Sequence, residues 1–258
     1  MTRVLFTGER LHEDDALFGV DLARHQAAYE LARIHAAGLR VLDLGCGTGY
    51  GTAGLAGAAR LAVGVDRIAP EPSAGRGGAC FVRADLSGIP LRPGAFDLVV
   101  SFQVIEHLRD PGPYLEAIAR CLAPSGTALL TTPNRLTSDG VNPFHVHEYE
   151  ADELVGVLRS HFEDVELRGV AAGPAVADYF ASRLRRIRRI VRLDPLRLRE
   201  RLPRRLVETL FARFARVVRR GIARGEGLPD TSWRDFPIGP ADDACLDLVA
   251  ICRGGRTR

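Results

Sequence analysis

The chain has 258 residues, of which 46% are hydrophobic and 26% are charged, as is typical of a soluble globular protein with one large domain. No apolar run approaches the roughly 20 residues that span a bilayer, and the N-terminus lacks the basic-then-apolar build of a secretion signal. The net charge of +3 hides an asymmetry, because residues 183–224 contain sixteen arginines and three acids, whereas the remainder is acidic. Five scattered cysteines without a C-x-x-C pair indicate free thiols, and we expect a cytoplasmic protein.

Apolar runs alternate with helical patterns along most of the chain. The first predicted element is a helix over residues 16–37, which ends before Gly38. Continuous apolar runs then predict strands that are covered on both faces, at residues 40–45, 61–66, 80–85, 96–102, 126–134, 162–170 and 244–253. Further helices are predicted at residues 49–59, 111–122 and 151–161. The alternation predicts an α/β fold with a doubly wound sheet.

Residues 171–240 interrupt this alternation. Two apolar stripes at helical spacing occur there, and Pro195 and Pro203 separate them. The first stripe consists of Leu184, Ile187 and Val191, and the second of Val207, Leu210, Phe211, Phe214 and Val218. The pattern predicts a helical insert between the last two strands.

The segment DLGCGTGYG follows the first predicted strand and opens a helix, where open α/β sheets bind nucleotide-like ligands. A dinucleotide-binding G-x-G-x-x-G pattern fails, because Tyr50 stands where the third glycine would fall. The observed spacing is Asp43, Gly45, Gly47 and Gly49. Glycines at alternate positions let the backbone pass under a bulky ligand, and Asp43 would lie near a cationic or amino group.

These motifs, together with FDLVVSFQVIEHL and LLTTPNR in the same order, resemble those of the class I S-adenosylmethionine-dependent methyltransferases. The resemblance covers residues 40–170 and the last strand. It implies that Asp66 binds both ribose hydroxyls and that Asp85 with Leu86 contacts the adenine. The cofactor would be S-adenosyl-L-methionine, bound by Asp43, Gly45, Gly47, Gly49, Asp66, Asp85, Leu86 and Phe102.

The same resemblance implies the architecture. We expect a Rossmann-like, seven-stranded sheet with strand order 3-2-1-4-5-7-6 and the helical insert between its last two strands. Residues 1–38 would form an N-terminal helical segment, residues 39–170 with 241–258 the cofactor-binding core, and residues 171–240 an arginine-rich cap.

His107 follows the fourth strand and would lie beside the transferred methyl group. Imidazole titrates near neutral pH, so His107 is the candidate general base for an acceptor that must lose a proton. An equal alternative is that His107 only shapes the site by bonding the adjoining loop. Glu106 is the second candidate, although its place on the turn is expected to aim it elsewhere.

The segment NPFHVHEYE arrives at the same edge of the sheet after the fifth strand. In an extended segment His145 and His147 share a face, and one of them with Glu106 and His107 would provide metal ligands. Small-RNA 2′-O-methyltransferases show a similar E-x-x-E-H group with a later histidine that holds a metal. Here the first acid is replaced by Gln103, a poor ligand for a hard cation. We therefore expect no metal, and an acceptor-side wall in which His145 contacts the substrate.

A second resemblance concerns the acceptor. The TGER segment at residues 7–10, with TPNR and NPFHVHEY, is similar to bacterial methyltransferases that act on small molecules and glycans. It implies a small-molecule or glycan acceptor. We expect O-methylation by a monomer or homodimer, with His107, Glu106 and His145 as the catalytic residues. The alternatives are a lipid-linked acceptor, an RNA 2′-hydroxyl, or cofactor binding without catalysis.

The arginine-rich residues 183–224 allow three interpretations. The first is a helical cap over the acceptor site with solvated or paired arginines. The second is peripheral contact with an anionic membrane surface. The third, nucleic-acid binding, is disfavoured because only Phe211 and Phe214 are available to stack on bases.

Overall fold

The computed structural model describes residues 16–71, 73–86, 88–191 and 228–256. The TGER segment and the second apolar stripe of the insert lie outside the described residues. Within the described part of the chain, no helix is both long enough and apolar enough to cross a membrane.

Helices and strands alternate where the sequence predicts them, and the boundaries move by a few residues. The described helices are α1 (Gly19–His35), α2 (Tyr50–Ala56), α3 (Gly112–Cys121), α4 (Ala151–Arg159) and α5 (Pro174–Val191). The described strands are β1 (Arg40–Leu44), β2 (Leu61–Asp66), β3 (Cys80–Arg83), β4 (Phe96–Phe102), β5 (Leu122–Pro133), β6 (Phe162–Val170), β7 (Ile238–Pro240) and β8 (Asp247–Gly255). Short 3-10 turns precede α1 at Ala16–Phe18 and follow β4 at Ile105–His107.

The strands form one sheet with the order β3-β2-β1-β4-β5-β8-β6-β7. The first five strands of this order pair in parallel, and β8 runs antiparallel between β5 and β6. The predicted order is therefore confirmed for its seven strands, with β8 as the predicted seventh. The predicted strand count is corrected to eight, because β7 pairs with the outer edge of β6. Its three residues, Ile-Gly-Pro, carry no alternating pattern, so only the pairing defines this strand.

Alternate residues of the central strands face two separate cores, as a doubly wound sheet requires. Leu42 and Leu44 belong to the cluster that α3 and α4 cover, together with Leu115 and Phe162. Val41 points to the opposite cluster. Other members of that cluster, contributed by α1, α2, β4 and β5, are Tyr29, Ala32, Leu55, Leu98, Val100 and Leu129.

Helix α5, the described helix of the predicted insert, packs against α1. Val176, Tyr179 and Ile187 share a buried cluster with Val20 of α1. Beside this cluster, Arg183 donates to the buried Asp21 carboxylate at 2.7 Å and lies 3.8 Å from the Asp139 carboxylate. The Arg183 ion pair and the buried apolar residues of α5 therefore both hold this helix against α1.

We expect Arg183→Ala to lower the free energy of unfolding by about 2 kcal/mol. The reason is that the Asp21 carboxylate stays buried without the guanidinium that compensates its charge. Denaturant unfolding followed by circular dichroism measures the change. Arg185→Ala is the matched control, because that exposed arginine bonds only the neighbouring Ser182 among the described contacts. Equal loss in both variants would contradict the assigned role of the ion pair.

Candidate active site

A cleft of about 850 Å³ opens where the central parallel strands end. Its wall includes residues that end or follow β1, β2, β3 and β4, and residues of α1 and α5 complete it. The carboxyl edge of an open α/β sheet is the usual ligand position in this class of fold. Six of the eight predicted cofactor residues line this cleft, namely Gly45, Gly47, Asp66, Asp85, Leu86 and Phe102.

The glycine loop has a backbone that other residues rarely adopt. Gly45, Gly47 and Gly49 have φ angles of +80°, +55° and +89°. A Cβ on Gly45 would lie 2.5 Å from the Cγ2 of Val104, whereas around a Cβ on Gly47 no described atom lies within 4 Å. A side chain at Gly45 would therefore collide with the turn after β4. At Gly47 the backbone has open space in which a ligand can lie.

Asp66 is part of the same unit as the glycine loop. Its Oδ2 accepts the Gly47 N–H at 2.9 Å and its Oδ1 accepts the Ile68 N–H at 3.0 Å. The carboxylate at the end of β2 is thus held beside the open face of Gly47. Asp85 and Leu86 lie farther along the same wall, after β3.

Asp43 and Gly49 are not part of the cleft wall. Asp43 is buried beneath the loop, where it accepts hydrogen bonds from the hydroxyls of Thr52 at 2.6 Å and Tyr29 at 3.1 Å. Burial raises the pKa of Asp43 to about 7, against the lowering effect of these two bonds. Asp43 therefore joins α1 and α2 to the end of β1, and in this structure its oxygens bond protein groups.

An aromatic group of His25, Tyr29, Tyr50 and Phe102 lines the cleft, and of these four Phe102 alone was predicted as a cofactor contact. His25 Nδ1 lies 2.5 Å from the Tyr50 hydroxyl, and the Tyr29 ring packs edge-on against Phe102 at 4.9 Å. Burial lowers the pKa of His25 to about 4, so this ring is neutral at physiological pH. The spacing of His25 and Tyr29, one helical turn apart in α1, was an available signal.

The turn after β4 is joined to the NPFHVHEYE loop by its main chain. The Glu106 carbonyl accepts the N–H groups of Val146 at 2.7 Å and His147 at 3.1 Å. This pairing brings His145 over the turn, where one ligand atom each from Glu106, His107 and His145 lie within 4.8 Å of one another. All three residues line the cleft. We call them the Glu106–His107–His145 group.

The expectation that Glu106 points elsewhere is corrected by this arrangement. Its side chain is fully buried, its Oε2 accepts the Thr132 hydroxyl at 3.1 Å, and its Oε1 has no hydrogen-bond partner among the described residues. Burial raises the pKa of Glu106 to about 7. The turn is a tight 3-10 segment, so Glu106 and His107 can both reach the loop that packs on it.

Both histidines of the group hold a fixed hydrogen bond through Nδ1. His107 Nδ1 lies 3.0 Å from the Phe144 carbonyl, and His145 Nδ1 lies 2.6 Å from the Glu148 carboxylate. Burial lowers the pKa of His107 to about 4, so its ring is neutral and Nδ1 donates to the carbonyl. His147, the other histidine of the loop, is exposed and bonds Glu153 at 2.7 Å. The loop therefore places His145 in the cleft and His147 outside it, so the expectation that the two histidines share a face is wrong.

Gln103 occupies an unusual position between β4 and this turn. Its φ of +57° is the one positive value among the described residues other than glycine. Its side-chain amide contacts the Thr131 hydroxyl at 3.4 Å.

An ion pair also lines the cleft, in which Arg24 of α1 lies 3.4 Å from the buried Asp247 carboxylate of β8. Sequence reasoning missed this ion pair, since no local pattern relates α1 to β8.

Comparison with known proteins identifies the family. A family model described as a methyltransferase domain matches residues 21–170, more than half of the chain. The chain belongs to the S-adenosylmethionine-dependent methyltransferases. A Mycobacterium tuberculosis protein named as a "probable S-adenosylmethionine-dependent methyltransferase" is 39% identical over 181 residues, which cover 67% of this chain and 66% of that protein.

Two other similarities extend this assignment. A ubiquinone biosynthesis O-methyltransferase from a Caulobacter species is 35% identical over 106 residues, which cover 38% of this chain and 42% of that protein. A methyltransferase crystal structure from Thermotoga maritima aligns over 93% of this chain and 92% of its own, with a TM-score of 0.57 and 14% identity. The structural similarity confirms the fold class, and the predicted family is confirmed by the family model.

The cleft suits the cofactor of this family. The glycine backbone with an open face at Gly47, the adjoining Asp66 carboxylate and the later Asp85 all line this cleft. Hydroxyl groups of a ribose are donors that a carboxylate such as Asp66 can accept.

We expect Asp66→Ala to raise the dissociation constant for S-adenosylmethionine by roughly 30- to 150-fold, because charge-assisted hydrogen bonds contribute about 2–3 kcal/mol. Isothermal titration calorimetry measures the constant. Asp164→Ala is the matched control. Asp164 is an exposed acid on β6 that pairs with Arg253 of β8, and it does not line the cleft. Unchanged binding by the Asp66 variant would remove this residue from the cofactor site.

Proposed function

We propose that the protein transfers a methyl group from S-adenosylmethionine to a hydroxyl oxygen of a small molecule or glycan. The observation that carries this proposal is the Glu106–His107–His145 group on the cleft that contains the glycine loop. A hydroxyl must lose its proton to become a methyl ether, so O-methylation uses groups that bind or remove a proton. The similarity to a ubiquinone biosynthesis O-methyltransferase supports the same oxygen chemistry.

Alignment of the acceptor is the first task of the cleft. S-adenosylmethionine supplies an activated methyl group on a sulfonium, which is an excellent leaving group. The protein therefore gains most of its rate from holding the acceptor oxygen in line with the methyl carbon, in a site that excludes water. The turn after β4 and the loop above it position this oxygen, because the Glu106 carbonyl joins both segments.

Handling of the hydroxyl proton is the second task, and we assign it to His107. Its Nδ1 donates to the Phe144 carbonyl, which leaves Nε2 as the proton-accepting nitrogen of the neutral ring. The Phe144 contact also fixes the plane of the imidazole. Glu106 and His145 lie beside it and position the hydroxyl.

The acceptor side of the cleft is largely apolar where α5 covers it. Phe180, Leu184 and Ile187 of α5 line the cleft together with Val141 and Phe144 of the loop. Such a wall suits an acceptor with an aromatic or aliphatic part, which buries apolar surface on binding. This observation favours a lipid-linked acceptor as the second candidate.

The test is methyl transfer from S-adenosylmethionine labelled in its methyl group to a panel of phenols, glycosides and prenylated phenols. We expect a labelled methyl ether, identified by nuclear magnetic resonance, with at least one acceptor. Label found only on nitrogen or carbon would contradict the proposal. Transfer to prenylated phenols alone would support the second candidate over the first.

We expect His107→Ala to lower the turnover number about 100-fold or more, while S-adenosylmethionine affinity stays within twofold of the parent protein. The imidazole lies on the acceptor side and the glycine loop is unchanged. His147→Ala is the control, because this exposed histidine is two residues from His145 on the same loop. Full turnover by the His107 variant would remove its catalytic role and leave the family assignment intact.

A further inference from the structure

The Glu106–His107–His145 group has the composition of a metal site with two imidazoles and one carboxylate. Its three ligand atoms lie within 4.8 Å of one another. Ligands bonded at about 2.1 Å in a tetrahedral zinc site lie roughly 3.4 Å apart. Small rotations of the side chains around a cation would close this difference.

The hydrogen bonds around the two histidines are those that orient metal ligands. His145 donates through Nδ1 to the Glu148 carboxylate at 2.6 Å, and Glu148 is itself held by the Ser138 hydroxyl at 2.8 Å. His107 donates through Nδ1 to the Phe144 carbonyl at 3.0 Å. In a neutral imidazole, a donor bond at Nδ1 leaves the lone pair on Nε2. Carboxylates and main-chain carbonyls are the usual partners of metal-bound histidines.

Glu106 provides an independent observation that points to a ligand. Its side chain is fully buried, and Thr132 satisfies one of its two oxygens. The other oxygen, Oε1, is buried without a hydrogen-bond partner among the described residues. Such an atom is costly in a protein interior, and a cation bound to it would compensate that cost.

Gln103 no longer argues against a cation at this place. The expectation of no metal assumed that position 103 must supply a ligand. In the structure the Gln103 amide contacts Thr131, and the three-residue group forms without it. A site with three protein ligands keeps positions for a substrate, as catalytic metal sites do.

We propose that Glu106, His107 and His145 together bind one divalent transition-metal cation, whose remaining coordination positions face the acceptor cleft. Two imidazoles and a carboxylate suit zinc, iron(II), manganese or cobalt more than magnesium or calcium. The inference rests on the proposed O-methylation and changes one role in it. With the cation bound, the cation activates the hydroxyl, and His107 is a ligand of the cation in place of the base.

The chemical step balances without a redox partner. The acceptor hydroxyl binds the cation through oxygen and releases its proton to solvent, because coordination lowers its pKa. The oxygen then forms a bond to the methyl carbon while the carbon–sulfur bond breaks. The electron pair of that bond stays on sulfur, which gives a methyl ether and the neutral thioether product.

The test is titration of the untagged, chelator-stripped full chain with Co²⁺, followed by visible absorption and calorimetry. We expect one equivalent per chain with absorption bands of nitrogen and oxygen ligation. His145→Ala should weaken binding at least tenfold, and Glu148→Gln, which only orients His145, by about tenfold. His147→Ala should bind as the parent protein does, since its histidine bonds Glu153 on the exposed side.

Three outcomes would overturn the site: no stoichiometric binding, equal binding by the His145 variant, or equal weakening by the His147 variant. Glu106→Gln adds a ligand variant, and circular dichroism reports whether it folds. The proposed function is tested separately by measuring methyl ether formation. Methyl ether formation by chelator-stripped protein at the full rate would retain O-methylation and reject the cation. Stoichiometric Co²⁺ binding without methyl ether formation would reject O-methylation and retain the metal site.

Discussion

Parallel pairing of β1 with β2 and β4 is the constraint on which the cleft depends. The pairing aligns Asp43 with Gly64 on one side and with Val100 on the other. It continues into the glycine loop, because the Val65 carbonyl accepts the Gly45 N–H at 2.8 Å. Strand ends that share one edge of the sheet therefore place the loop, Asp66 and the turn after β4 within one cleft.

The acceptor side depends on a second, much smaller interaction. The Glu106 carbonyl accepts two consecutive N–H groups of the loop, and the His107 ring donates to the Phe144 carbonyl. Together they fix a loop that has no regular secondary structure of its own. With the Asn134–Tyr149 bridge, they place His145 beside the turn after β4, where the three-residue group forms.

The side of the cleft formed by α1 and α5 joins elements that are far apart in the sequence. α5 packs on α1 through apolar residues and through Arg183, which bonds Asp21 and approaches Asp139. Arg24 of α1 in turn contacts Asp247 of β8. Arg183 of the arginine-rich segment is therefore paired with acids of the core, and apolar residues of α5 line the cleft beside it.

The sequence by itself determined the order of elements, the glycine loop and the acids at the ends of β2 and β3. These features depend on local patterns, and a strand or a glycine turn shows its periodicity or residue type within a few positions. The sequence also predicts that His145, and not His147, contacts the substrate.

Only the tertiary structure decided which of these side chains meet. Glu106 and Thr132, or His107 and Phe144, are separated by 26 and 37 residues, and no local pattern predicts the direction in which a buried side chain points. The burial of Asp43 beneath the loop arises in the same way, from hydroxyls of two helices that converge on one strand end. Loop closure over such distances is fixed by the packing of the whole fold. This is why only the structure decided that Glu106 points inward and that His145, and not His147, joins Glu106 and His107.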